Sequence, residues 1–145
     1  MMRSEQVIEN FKQLYNKLNR DTATVELLGR VYAEDIQFED CFHNIKGIKS
    51  LFEYFDNLYE NVDFISFNFK NQWLNESSAM LTWTMSYKHP KLNGGRLIAV
   101  EGASQLDFNE GKVIRHRDYF DGGALLYENI PILKRVIFFL KSRLA

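Results

Sequence analysis

Low cysteine content, an almost neutral charge and the absence of long apolar runs exclude several classes of protein. The only cysteine, Cys41, has no partner for an internal disulfide, which fits a reducing compartment. The formal net charge of -1 gives no general reason to expect a nucleic-acid partner. No apolar run approaches the length of a membrane span, and the first residues lack the apolar core of a signal peptide. We therefore expect a soluble, cytoplasmic protein.

The length and the apolar content indicate one domain. Apolar residues make up 46% of the 145 residues, and aromatic residues 14%. That is enough for a substantial core, but the chain is too short for two ordinary domains. We predict a single domain over residues 1–145.

The spacing of the apolar residues predicts the order of helices and strands. A period near 3.6 predicts helices over residues 4–18, 25–32, 48–59 and 131–144. Alternation predicts a short strand over 36–42 and an antiparallel meander over 65–73, 79–87, 96–108 and 113–121, with Gly102 marking a bulge or bend. This order predicts an α+β fold, in which a curved antiparallel sheet wraps around three N-terminal helices and leaves a cone-shaped hollow. The open end of the hollow would take a small ligand.

The same alternation predicts which side chains face the hollow. Trp73 shares a face with Phe67 and Phe69, and Trp83, Met85 and Tyr87 share a face of the next strand. We expect these residues to fill the core or to line the hollow.

Asp40 is the first candidate functional residue. It alternates with Ile36 and Phe38, so an inward face would place its carboxylate in an apolar space. A buried carboxylate must be paired, hydrogen-bonded or protonated. Asp40 is therefore either a general base or a strand-end residue that satisfies the turn at 41–44.

His116 and Asp118 form a second candidate pair, on one face of the last strand together with Ile114 and Phe120. They could present a proton shuttle to the hollow. Val113 lies on the opposite face, so the inward side stays open.

Cys41 and His43 occupy alternate positions, as a thiol and its base could, but a lone cysteine is usually a small buried apolar residue. The three histidines show no paired metal-ligand spacing. We expect no metal and no cofactor.

Several motifs resemble the nuclear transport factor 2-like superfamily, which includes SnoaL-like polyketide cyclases, ketosteroid isomerases and limonene epoxide hydrolases. They are residues 31–40 (VYAEDIQFED), Gly47 before the third helix, 110–114 (EGKVI) and 117–121 (RDYFD). The resemblance covers nearly the whole chain. It implies the fold more specifically than the activity, because this scaffold hosts unrelated functions.

The resemblance to ketosteroid isomerases implies roles for three residues. Asp40 stands where those enzymes keep their general base, and Tyr15 where they keep an oxyanion-hole tyrosine. Ser104, a weaker donor, replaces their second oxyanion donor, which is an aspartic acid. Without Asp40, a tyrosine in an apolar helical stripe such as Tyr15 would be read as a core residue.

The last strand resembles two other branches of the superfamily. Asp118 matches an acid of limonene epoxide hydrolases, but Thr82 and Thr84 replace the Arg and Asp of their water-activating relay, which disfavours that activity. The run from His116 to Asp118 also resembles the His-x-Asp pattern of SnoaL-like cyclases.

The leading hypothesis is a cofactor-independent isomerase- or cyclase-type enzyme acting on an apolar carbonyl compound that is steroid-, polyketide- or lipid-like. Its base would be Asp40, its oxyanion donor Tyr15, and its second polar group Asp118 with His116. The expected ligand-lining residues are Phe38, Phe55, Trp83, Ser104 and Phe120. The alternatives are a non-catalytic binding or interaction module, and a structural dimer whose own side chains fill the hollow.

Two further contacts are expected. The resemblance implies a homodimer through the exposed sheet face. The C-terminal segment 131–145 carries four basic residues and no acid, whereas the rest of the chain has 14 basic against 19 acidic side chains. Its helix could touch a membrane surface or a lipid-like ligand, although docking on the sheet or on a second subunit is the more usual fate. The core-spaced residues of this segment are Ile130, Leu133, Val136, Ile137, Leu140 and Leu144.

Overall fold

The computed structural model describes residues 3–144 and contains five α-helices and six strands. Two short 3-10 turns, Asn93–Gly95 and Tyr127–Asn129, complete the regular structure. The helices and strands are α1 (Ser4–Lys17), α2 (Val25–Gly29), β1 (Tyr32–Glu39), β2 (Asn44–Lys46), α3 (Ile48–Asn61), β3 (Phe64–Leu74), β4 (Ser78–Lys88), β5 (Ile98–Asn109), β6 (Lys112–Phe120), α4 (Gly122–Leu125) and α5 (Pro131–Ser142).

All six strands form one curled sheet in the order β2-β1-β6-β5-β4-β3. The meander from β3 to β6 is antiparallel as predicted, whereas β1 pairs with β6 in parallel. The first long strand is therefore held by the last one. The predicted α+β class, with a curved sheet, N-terminal helices and a C-terminal helix, is confirmed.

The N-terminal helices bury their apolar stripes against the sheet. In α1 the buried stripe includes Ile8, Phe11 and Leu14, and in α3 it includes Leu51 and Phe55. Gly47 precedes α3 with φ 89°, a backbone conformation that favours glycine. The predicted spacing thus places both helices over the inner face of the sheet.

Two irregularities in strand register change which side chains face inward. The β3–β4 register shifts between Phe69 and Gln72, and Trp73 is 59% exposed. The inward position expected for Trp73 is therefore wrong. Because a one-residue insertion reverses the alternation that follows it, a strict period of two fails at such a site.

A second bulge lies in β6. Asp107 pairs with Arg115 but Phe108 pairs with Val113, so Ile114 is the extra residue. Val113 and His116 are consequently both buried, whereas Ile114 is 38% exposed. The prediction that Ile114 shares the face of His116 and Asp118 is wrong for this reason.

The boundary between α2 and β1 also differs from the prediction. Tyr32 has helical spacing with Leu28 but begins β1, where it is buried. The strand ends at Glu39, so Asp40 starts the following turn and does not belong to the strand.

The C-terminal helix α5 lies largely apart from the core. Its main contact is with the turn Tyr127–Asn129, and only Ile137 is partly buried. The core positions expected for Leu133, Val136, Leu140 and Leu144 are therefore wrong, because these side chains are exposed. Among residues 3–144, no helix combines the length and the apolar character that crossing a bilayer requires.

The register on both sides of Gly102 is continuous, so the first of the two features predicted there, a bulge, is absent. A Cβ atom on Gly102 would clash with the Trp83 ring, which packs directly over the backbone.

We expect Gly102→Ala to lower the free energy of unfolding by about 1–3 kcal/mol through overpacking, as measured by urea denaturation. Gly29→Ala is the matched control, since its Cβ would meet only Ile48 at 3.8 Å. An equal loss in both variants would contradict this account.

Candidate functional site

A cavity of about 660 Å³ lies between α3, the inner face of the sheet and α4. Most of the side chains that line it are apolar or aromatic. Its walls include seven of the nine residues predicted to form the site, among them two carboxylates. The residues in question are Tyr15, Phe38, Phe55, Trp83, Phe120, Asp40 and Asp118.

The Asp118 carboxylate is the polar centre of the cavity wall. Its Oδ1 accepts a hydrogen bond from Ser104 Oγ at 2.6 Å and lies 2.6 Å from His116 Nε2. Ser104 in turn accepts a hydrogen bond from Trp83 Nε1 at 2.9 Å. Only 17% of the Asp118 side chain is exposed, and only 1% of His116. The carboxylate is therefore held by two neighbouring side chains within an apolar environment.

Two tyrosines extend this chain of hydrogen bonds into the core. Tyr32 Oη lies 2.8 Å from His116 Nδ1, and Tyr15 Oη lies 2.7 Å from Tyr32 Oη. The rings of Phe38 and Phe11 pack edge-on against the imidazole, with centroids 4.8 and 5.3 Å away. His116 is thus fixed in orientation by partners on both ring nitrogens and by aromatic contacts.

When Asp118 is ionised, the donor and acceptor properties of these groups fix which atom donates in each hydrogen bond from Tyr15 to Asp118. A carboxylate can only accept, so Ser104 and His116 Nε2 donate to it. In the neutral imidazole, Nδ1 then accepts from Tyr32, whose oxygen accepts from Tyr15. Every hydrogen bond in the chain is then directed toward Asp118.

Both tyrosines keep their protons. Burial, followed by the charge of the neighbouring groups, raises the pKa of Tyr15 well above its usual value. Burial likewise raises the pKa of Tyr32, although the hydrogen bond from Tyr15 acts in the opposite direction. Neither phenol is a base at neutral pH, so both serve as neutral hydrogen-bonding groups.

Asp40 is occupied in a different way. Its Oδ1 accepts hydrogen bonds from the backbone amides of Phe42 at 2.8 Å and His43 at 2.7 Å. His43 Nδ1 lies 3.1 Å from the same oxygen. These are the hydrogen bonds of an Asx-type turn. They match the second role predicted for Asp40, that of a strand-end residue satisfying the turn. Asp40 nevertheless lines the cavity, on the same enclosed space as Asp118.

Ser104 and His116 do not lie on the cavity wall. Both are buried and reach the cavity through Asp118, to which they hydrogen-bond. Ser104 therefore supports the carboxylate, whereas direct contact with a ligand was expected.

Cys41 is exposed on the turn. Partial desolvation and the Asp40 carboxylate raise the pKa of its thiol. A raised pKa disfavours the nucleophilic thiolate, which agrees with a non-catalytic Cys41.

Sequence reasoning missed two tyrosines. The helical spacing of residues 25, 28, 31 and 32 predicts a helix that includes Tyr32. In the structure, the parallel pairing of β1 with β6 brings Tyr32 to His116. The sequence motifs do not single out Tyr54, yet Tyr54 lines the cavity and packs on His43 with ring centroids 4.6 Å apart. Burial, and then the charges of Asp40 and Asp118, raise the pKa of Tyr54, which keeps its hydroxyl protonated. The signal that could have found Tyr54 is its spacing, since it lies three residues after Leu51 and four before Leu58 on the apolar side of α3.

Comparison with known proteins identifies one matching family. The SnoaL-like domain matches residues 11–116 of this chain, which is most of its length. A search of curated proteins finds no significant match.

Solved structures share the fold at low sequence identity. A candidate SnoaL-like polyketide cyclase from Jannaschia sp. CCS1 has a TM-score of 0.76 and 13% identity, covering 90% of this chain and 94% of that one. A hypothetical protein with a ketosteroid isomerase-like fold from Catenulispora acidiphila has a TM-score of 0.72 and 11% identity, covering 87% and 93%. An epoxide hydrolase of the LEH-like type from M. tuberculosis has a TM-score of 0.68 and 15% identity, covering 97% and 98%. The suspected resemblance to this group of folds is thereby confirmed.

The hydrogen bond from Tyr32 to His116 is expected to stabilise the fold. Tyr32→Phe removes the hydroxyl and leaves a buried imidazole nitrogen without its partner, which costs about 1–3 kcal/mol. Urea denaturation would measure this loss. Tyr59→Phe is the control, because Tyr59 is a buried tyrosine outside this chain of hydrogen bonds. A loss no larger than that of the control would contradict the role given to Tyr32.

Alkaline pH should destabilise the protein. The native state holds the protons of Tyr15 and Tyr32, whose pKa values are raised, whereas the unfolded chain releases them near pH 10. Stability should therefore be unaffected by these groups below pH 10 and fall above it, by up to about 1.4 kcal/mol per pH unit for each group. Denaturation at a series of pH values measures the slope. The slope should be smaller by about one proton in Tyr32→Phe, and an unchanged slope would contradict the assignment.

Proposed function

Because the chain belongs to the SnoaL-like domain family, we propose that it is a small acid/base enzyme acting without cofactor on an apolar carbonyl compound. The observation that carries the proposal is the Asp118 carboxylate, which sits on the wall of an apolar cavity at the end of a directed chain of buried hydrogen bonds. A carboxylate in such surroundings can exchange a proton with a bound ligand. The reaction would be of the isomerase or cyclase type.

Asp118 is the proposed base. Both side-chain hydrogen bonds found for it among residues 3–144 are made by Oδ1, which leaves Oδ2 to face a ligand in the cavity. Oδ2 would take a proton from the carbon next to the substrate carbonyl and later return it to another atom of the substrate. His116 would hold the carboxylate in place, because its own ring is fixed by Tyr32.

Tyr54 is the proposed donor to the carbonyl oxygen. Its phenol is protonated and belongs to the cavity wall, and no hydrogen bond occupies its hydroxyl among the described residues. Such a donor stabilises the negative charge that develops on the oxygen when the adjacent carbon loses its proton. Tyr15, the donor expected from the sequence, is already bonded to Tyr32.

Asp40 is the other carboxylate on the cavity, and the resemblance to ketosteroid isomerases gives it the role of base. Two backbone amides and His43 bind its oxygens, and these contacts close the turn that follows β1. We therefore assign Asp40 to the turn and place the base at Asp118.

The test is hydrogen–deuterium exchange of enolisable ligands. Apolar ketones, β-diketones and long-chain 3-oxo esters that raise the melting temperature would be incubated with the protein in deuterated buffer and followed by NMR. We expect wild-type protein to exchange the protons next to the carbonyl, and Asp118→Asn to slow exchange by about 100- to 10,000-fold.

Asp40→Asn is the matched control. The asparagine oxygen can still accept the amide hydrogen bonds of the turn, so the exchange rate should change little. Loss of exchange in Asp40→Asn together with retention in Asp118→Asn would move the base to Asp40.

A non-catalytic binding protein is the second candidate, favoured by the apolar cavity itself. It predicts that ligands bind wild-type protein and Asp118→Asn alike, and that neither protein exchanges their protons. That result would overturn the enzyme proposal.

A further inference from the structure

We propose that α5 docks the protein on anionic lipid bilayers, with the cavity next to the membrane surface. The inference starts from the exposure of the helix. Ile132 is 78% exposed and Phe139 62%, and Leu133, Val136 and Leu140 are exposed as well. Side chains of this kind are normally covered, so an unpartnered apolar helix marks an interaction surface.

The arrangement of residues along α5 matches a helix that lies in the plane of a membrane interface. At 100° per residue, one arc carries Ile132, Val136, Phe139 and Leu140. Lys134 and Lys141 lie on the opposite side of the helix, Arg135 borders the arc, and Arg143, which caps the helix, lies at the C-terminal end of the arc. An apolar arc flanked by basic residues inserts at the boundary between headgroups and acyl chains.

Charge complementarity selects an anionic lipid surface. Four basic residues and no acid lie between residues 131 and 145, although the rest of the chain has more acidic than basic side chains. Within the described residues Lys141 is neutralised by Glu128 at 2.7 Å, and no ion pair is found for Lys134, Arg135 or Arg143. Lys134 and Arg143 instead lie over the rings of Phe138 and Phe139, at 5.5 and 5.8 Å from the ring centroids, so no carboxylate among the described residues neutralises their charge. Anionic headgroups can therefore pair with these three cations.

A second copy of the chain fits this surface less well. Two-fold symmetric contact places the same patch of both subunits face to face, so two strongly basic helices would be brought together. Repulsion between like charges in a desolvated contact opposes that arrangement.

The position of α5 connects the surface to the cavity. Leu125 and Leu126, which line the cavity, lie at the end of α4 and are followed by the turn against which α5 packs. The Tyr87 hydroxyl donates to the carbonyl of Leu125 and ties this segment to the cavity wall. A docked α5 would therefore bring the wall segment of α4 close to the lipids. A lipid-derived carbonyl compound could then enter the cavity from the bilayer. This entry rests on the proposed function, whereas the docking of α5 does not.

The test is flotation with vesicles of phosphatidylcholine alone or containing about a third phosphatidylglycerol. The full chain should float with the anionic vesicles and be released by 0.5 M NaCl, because screening weakens the attraction. Replacing Lys134, Arg135 and Arg143 by Glu should lower the partition coefficient by at least about 100-fold, at about fivefold for each cation removed.

Two matched controls separate docking from general effects. Lys17, Lys46 and Lys49 replaced by Glu give the same change in net charge on other elements, and flotation should persist. Ile132→Asn with Phe139→Asn should abolish flotation, whereas Trp73→Asn with Leu97→Asn, which alters two exposed apolar side chains on other parts of the chain, should not.

The contrary outcomes are distinct. If wild-type protein did not float with anionic vesicles at low salt, the proposal would be overturned. It would also be overturned if the variants and their controls lost flotation equally. If Ile132→Asn with Phe139→Asn instead converted a dimer into a monomer in sedimentation experiments, a second copy would be the occupant. Asp118→Asn should float like wild type. Flotation therefore tests membrane docking even if the exchange assay contradicts the proposed enzyme activity.

Discussion

A carboxylate placed among aromatic side chains needs hydrogen-bond partners, and the inner part of this fold provides them for Asp118. Ser104 and His116 come from neighbouring strands, Tyr32 from the parallel strand beyond, and Tyr15 from the first helix. Removing any one member would leave a buried polar atom unpaired, which costs more than the hydrogen bond contributes. The aromatic core and this chain of hydrogen bonds therefore depend on each other. The rings of Phe11 and Phe38 hold the His116 imidazole in the orientation that its two hydrogen bonds require.

Bulges decide which side chains belong to this site. The extra residue Ile114 lets Val113 fill the core and still turns His116 inward. Without it, a strict alternation would give Val113 and His116 opposite faces of the strand. The irregularity thus serves both packing and chemistry, as bulges beside functional sites commonly do.

The general course of the fold could be predicted from periodicity, but the site only partly. The period of 3.6 located α1 and α3, and alternation located the meander, because burial of one face imposes these patterns directly. Tyr32 was beyond reach, since its neighbours mimic helical spacing and its partner lies 84 residues away in the sequence. Asp40, Asp118 and His116 were identified by residue type and alternation as well as by the resemblance, whereas the role of Ser104 depended on the resemblance alone, which does not fix hydrogen-bond partners.

The parallel pairing of β1 with β6 has a consequence for how the protein is made. Tyr32 belongs to the first long strand, and the residues that complete its surroundings lie in the last. During synthesis, the helices and the β3–β4 hairpin can form while the C-terminal part is still within the ribosome, but β1 has no partner in the meander until β6 emerges. Until then the edge of β1 that faces away from β2 is unpaired and the cavity lacks a wall, so the aromatic interior is exposed. The polar centre can therefore assemble only once β6 has paired with β1.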